Sequence, residues 1–155
     1  MKTILTLTLL LFTLQVSLKA KVVKGIHEKA RIIVIEKKIL KNYKKKAKSI
    51  ASKIKLLTAK PTLTKTEQKK LTLLKQKGHK ITFWKKFRDY QKNRMEILLS
   101  ESPDPYTEIS KLDEKMTPLL NSYPEMTGEK FPSSFFLEVD KVTKQLRRKA
   151  SDSKS

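Results

Sequence analysis

His27 and His79 are the only two histidines in the sequence, and no cysteine accompanies them. A metal centre needs several donors brought together, and neither histidine stands in an HxxxH pair or beside a cluster of carboxylates. Both are read as solvent-facing. No G-x-S-x-G, H-E-x-x-H, G-x-G-x-x-G or Walker loop occurs. Asp113 and Glu114 are neighbours, so a helix turns them to different faces. These residue types support no catalytic centre, no metal and no cofactor, and the chain is not expected to be an enzyme. Binding is the chemistry that remains. Phe83, Trp84, Phe87 and Tyr90 interleave with Lys85, Lys86 and Arg88, which joins apolar or stacking surface to cationic steering. As a surface these residues form a client-binding patch. As packing, Ile81, Trp84 and Phe87 share one helical stripe and belong to the core, which leaves Phe83 and Tyr90, partly off that stripe, as the better surface residues.

Charge says what such a surface would meet. The 155 residues carry 36 Lys and Arg against 15 Asp and Glu, a formal net charge of +21. Residues 21–100 hold 25 cations and 5 acids, a balance of +20, while residues 101–155 hold 9 and 10, a balance of −1. A surface of one sign draws polyanions or acidic, unfolded chains towards it. The cations are 31 Lys and only 5 Arg, whereas base readout favours the planar Arg fork. No specific nucleic-acid recognition is therefore expected.

The elements that position these residues follow from period and punctuation. Met1-Lys2, an apolar run from Thr3 to Leu18 and the small Ala20 have the layout of a secretory signal peptide over residues 1–20. The run is about 16 residues, short of the ~20 that span a bilayer, and a retained N-terminal anchor is the alternative. Either way the chain is expected to be periplasmic or secreted. From Val22 to Leu57 there is no Pro, and Ile26, Ala30, Ile33, Leu40, Ala47, Ala51 and Ile54 recur at helical steps, which predicts one long amphipathic helix. Ile32-Ile33-Val34-Ile35 leaves a short buried strand as the competing reading. Pro61 ends this helix. Thr64 with Glu67 forms a capping box that opens a second long helix to about Ser100, its stripe marked by Leu71, Leu74, Ile81, Trp84, Met95 and Leu98, with a bend near Gly78.

Asp104 caps a third helix with Pro105 at its first position, and Pro118 kinks or ends it. Tyr123 to Ser133 reads as a loop, and Ser133 or Ser134 opens a last helix carrying Phe135, Phe136, Val139, Val142 and Leu146. The expected fold is all-α: a long antiparallel helical hairpin plus two shorter helices, extended rather than compact. Residues 21–150 form a single all-helical domain, and residues 151–155 a disordered tail.

The segment LTKTEQKKL places Leu63 and Thr64 as in an LTxxQ motif, with Glu67 in the Gln place and Gln68 one residue late. Arg94-Met95-Glu96-Ile97-Leu98-Leu99, the Ser102-Pro103-Asp104-Pro105 turn, Ile109 to Met116 and Phe131 to Arg148 follow. Together these stretches, over roughly residues 60–150, resemble the Spy/CpxP-like periplasmic proteins, although the second LTxxQ is missing. The resemblance implies a thin, cradle-shaped homodimer that holds unfolded or partly folded exported proteins without ATP, as a chaperone or an envelope-stress or metal-resistance protein. An electrostatic binder of anionic lipid, polysaccharide or nucleic acid is the alternative, and a Skp-like trimer with helical tentacles is a third arrangement.

Overall fold

A computed structural model of the chain describes residues 25–152. The signal segment assigned to residues 1–20, its cleavage point and the last three residues of the tail lie outside the described residues. Within that range the chain is all-α. Its elements are α1 (Ile26–Val34), a π-helical turn (Ile35–Ile39), α2 (Tyr43–Thr58), α3 (Lys65–Leu99), α4 (Pro105–Asn121), α5 (Tyr123–Thr127) and α6 (Ser134–Asp152).

The single helix expected from Val22 to Leu57 is interrupted. The Leu40 amide donates to the Ile35 carbonyl five residues back, at 2.7 Å, and Asn42 then takes φ 60° in the left-handed region. Asn tolerates that conformation better than most residues. The reason for the break is phase. At 3.6 residues per turn, the face carrying Ile26, Ala30 and Val34 would continue through Lys37, Lys41, Lys48 and Lys55. A continuous helix would therefore aim lysines at the core. The π turn and Asn42 rotate the chain so that Tyr43, Ala47, Ile50, Ile54 and Leu57, none of them fully exposed, form the face of α2 that meets α3. Ile32–Val34 belong to α1 and Ile35 to the π turn, so the strand reading is set aside.

α3 is the axis of the molecule. Its 35 residues make a rod of ~52 Å, started by the predicted capping box: the Thr64 hydroxyl accepts from the Glu67 amide at 3.3 Å, and the Glu67 carboxylate accepts from the Thr64 amide at 3.1 Å. Helical hydrogen bonding continues through Gly78. α1 runs back along α3, and Gly25 lies so close to the far end of α3 that a Cβ there would sit 3.2 Å from Met95 Cγ. α1, α4 and α5 pack on α3, while α6 packs on α1. α2 packs on α3 and makes no comparable contact with another element. The result is a body built around the later part of α3 and a two-helix arm formed by α2 and the early part of α3.

Asp104 caps α4 as expected, its carboxylate accepting from the Thr107 amide at 3.1 Å. Three local expectations are corrected. α4 passes through Pro118 to Asn121, because Pro118 is exposed and its lost hydrogen bond opens to water. The segment taken as a loop contains α5, closed by Gly128 at φ 71°. α6 continues through Ser151 and Asp152, first residues of the expected tail, and the Ser151 hydroxyl donates to the Arg147 carbonyl at 3.1 Å.

Candidate binding site

The expected client-binding patch does not form a surface. Phe83, Trp84 and Phe87 are 1%, 1% and 7% exposed. Trp84 and Phe87 follow the packing alternative, whereas Phe83, expected off the stripe, is buried as deeply as Trp84. The cause is cover from a second side. Phe83 meets Tyr123 of α5 with ring centroids 4.5 Å apart, and Trp84 meets Phe135 of α6 at 5.2 Å. A single-stripe reading of α3 fails because helices enclose it on more than one face. Tyr90 is half-buried, and its hydroxyl donates to Asp113 at 2.6 Å. Lys85 and Lys86 are exposed, with Lys85 Nζ 5.6 Å from the centroid of the Tyr43 ring. Arg88 is half-buried and pairs with Asp89 at 2.7 Å. The seven residues thus divide between core and rim.

A polar network that sequence reasoning missed ties three helices together beside this core. Buried Glu28 of α1 accepts from Arg94 Nε at 3.1 Å, and Arg94 Nη1 reaches both Asp113 oxygens of α4 at 2.5 and 2.7 Å. Arg31 adds a bond to buried Gln91 at 3.2 Å. Burial pushes the Asp113 carboxyl up, but hydrogen bonds from Arg94 and Tyr90 outweigh it and hold it below the usual Asp range. Burial and the bond to Asp113 push the Tyr90 phenol up. Each group is thereby fixed in one protonation state near neutral pH, which suits a structural clamp and not a proton-transfer site. The partners are separated by 66 and 19 positions in the chain, so no local motif announces them.

The histidines stand apart. His27 Nε2 lies 3.3 Å from Arg147 Nη2, and His79 Nδ1 lies 3.3 Å from the Met126 carbonyl. Among the described residues no group of three or more His, Cys, Asp or Glu is placed to hold a metal ion.

The arm carries the densest charge. Between Lys37 and Lys80 the chain has 16 lysines, no arginine and one acid, Glu67. Glu67 is itself engaged by Lys60 and the Thr64 amide, which together lower its pKa to about 2. All six lysines of α2 are exposed, and among the described residues none of them lies within ion-pair distance of a carboxylate. Apolar side chains share this surface: Leu56 on α2 and Leu73 on α3 are 69% and 56% exposed. Where the arm joins the body, the two helices part over a cavity of about 620 Å³ floored by Ile39, Leu40, Ile50, Ile81 and Trp84. Lys45 and Lys46 stand on its α2 wall, and Lys77 and Lys80 on its α3 wall.

Compared with known proteins, the chain matches no family model, no curated protein and no solved structure at a significant level. No helix among the described residues is long and apolar enough to cross a membrane.

Proposed function

We propose that this chain is a non-catalytic binding protein whose lysine-covered arm captures acidic, partly apolar partners, above all unfolded or partly folded exported polypeptides. The observation that carries this reading is the arm itself. Among the described residues the six lysines of α2 have no carboxylate within ion-pair distance, and they share the arm with exposed Leu56 of α2 and Leu73 of α3, on a helix supported mainly by α3. Unneutralised charge speeds encounter with acidic chains, and exposed leucine gives a segment that has lost its fold something to rest on. No nucleotide-binding loop is present, so capture and release are driven by affinity alone. The LTxxQ-like resemblance of the 63–71 segment points to the same class of activity. The signal-peptide layout of residues 1–20 supports a place of action outside the cytosol.

A second reading, a binder of phosphate-rich or sulfated polyanions, draws on the same lysines. Salt separates the two. Aggregation of an unrelated denatured protein should be suppressed at low salt and only partly less so at high salt if the leucines contribute. Binding through phosphate neutralisation instead falls linearly and steeply on a log–log salt plot. No suppression at either salt would remove the first reading.

A further inference from the structure

We propose that the cavity at the elbow between α2 and α3 is a site for a single-chain anionic amphiphile, a fatty-acid-like molecule with one acidic headgroup. Its acyl chain lies on Leu40, Ile50, Ile81 and Trp84, and its headgroup sits among Lys45, Lys46 and Lys77. This goes beyond capture of polypeptides by the arm: it shares Lys45 and Lys46 with that surface but rests on the cavity beneath them.

Size is the first argument. About 620 Å³ falls within the ~300–1,000 Å³ of small-molecule sites and is small for a folded partner. The chemistry of the floor is the second. It is made of apolar side chains whose backbone groups are already paired: Ile50, Ile81 and Trp84 lie inside α2 and α3, and the Leu40 amide donates to the Ile35 carbonyl while the Leu40 carbonyl accepts from the Tyr43 amide. An extended peptide pressed into it would bury its own amides with nothing to receive them, which opposes its entry. An acyl chain has no such groups and loses nothing by entering. The polar residues of the lining, Asn42, Ser49, Lys45, Lys46 and Lys77, are exposed, which suits a headgroup left facing water.

Charge is the third argument and fixes the sign of the ligand. Lys80 is already paired with Glu129, while Lys45, Lys46 and Lys77 have no carboxylate within ion-pair distance among the described residues. A neutral lipid would leave these cations unanswered. A second copy of the chain would bring more of them, since residues 37–80 hold 16 lysines against one acid, and like charges meeting across an interface disfavour it.

Trp84 is the only tryptophan in the sequence and contributes to the floor, so the site reports on itself. The test is quenching of Trp84 fluorescence in the full chain by a doxyl- or bromine-labelled fatty acid, kept below the concentration at which it forms micelles. Saturable quenching is expected, displaced by unlabelled fatty acid but not by its methyl ester or by acetate. The exposed-site double variant Lys45→Glu with Lys77→Glu should retain its helical circular dichroism and bind about tenfold more weakly, the scale of one partly screened charge pair. Ile50→Phe, which fills the floor, should weaken binding with the lysines intact. Absence of saturable quenching, equal affinity for the methyl ester, or unchanged affinity in both variants would each overturn the proposal. Binding of an acidic unfolded polypeptide, measured on the same samples, keeps failure of this site distinct from failure of the arm as a capture surface.

Discussion

Arg94 illustrates what single residues contribute. It answers two carboxylates from two other helices, and one of these, Glu28, is buried. Without Arg94, buried Glu28 keeps only Arg31 at 3.9 Å, so Arg94→Ala should lower unfolding free energy by about 3 kcal/mol, the lower end for breaking a buried pair, read from chemical denaturation. The acid limb of stability has a sign as well. Asp113 and Glu67 both have lowered pKa values in the folded chain, Glu67 at about 2. Their contribution is present above the ordinary carboxylate range and is lost as pH falls through the folded values. The melting temperature should therefore hold near neutral pH and fall from about pH 4 downward, and a rise in stability over that range would contradict the assignment. Tyr123 is the converse case. Its ring is fully buried among Phe83, Trp84 and Phe131, and its hydroxyl has no hydrogen-bond partner among the described residues. Tyr123→Phe should be neutral or stabilise by up to about 1 kcal/mol, because an unsatisfied buried hydroxyl is removed.

At the scale of elements, what the sequence made legible was local. The Thr64–Glu67 box and the Asp104–Pro105 start depend on residues a turn apart, and both helices begin there. Thr64→Ala should cost about 1 kcal/mol by freeing the first amides of α3. The break at Asn42 was less visible because Gly and Pro, the usual signals, are absent; its trace is the loss of phase between Val34 and Ile50. Asn42→Gly should be tolerated, whereas Asn42→Val should cost about 1–2 kcal/mol because a branched Cβ is crowded at positive φ. Phe83 was misplaced for a tertiary reason: its cover comes from α5 and from Phe131, in a stretch whose Pro and Gly content reads as loop. Phe136 shows the reverse. It stands with Phe135, Val139, Val142 and Leu146 in the apolar repeat of α6, yet it is exposed, while Phe135, Val139 and Thr143 are buried and Val142 and Leu146 pack against the core.

The whole molecule combines a body with an aromatic core and an arm in which α2 leans on α3 alone. Charge divides along the chain instead, with +20 on residues 21–100, which include the arm, and −1 on residues 101–155. Self-association is therefore expected through the near-neutral later part of the chain, where Phe136 and Leu137 are exposed, and not through the arm. Sedimentation at low salt should show any dimer weakened by Leu137→Glu and unaffected by loss of arm lysines. The arm is the part of the molecule that its own fold leaves unsatisfied, and it is the basis of the functional reading. That reading is tested most directly by the affinity of a labelled acidic, unfolded polypeptide for the intact chain and for a variant combining Lys44→Ala, Lys48→Ala, Lys53→Ala and Lys55→Ala, all exposed positions on α2. Binding about tenfold weaker or worse in the variant, with its fold retained, is the predicted result; equal binding by both proteins would contradict it.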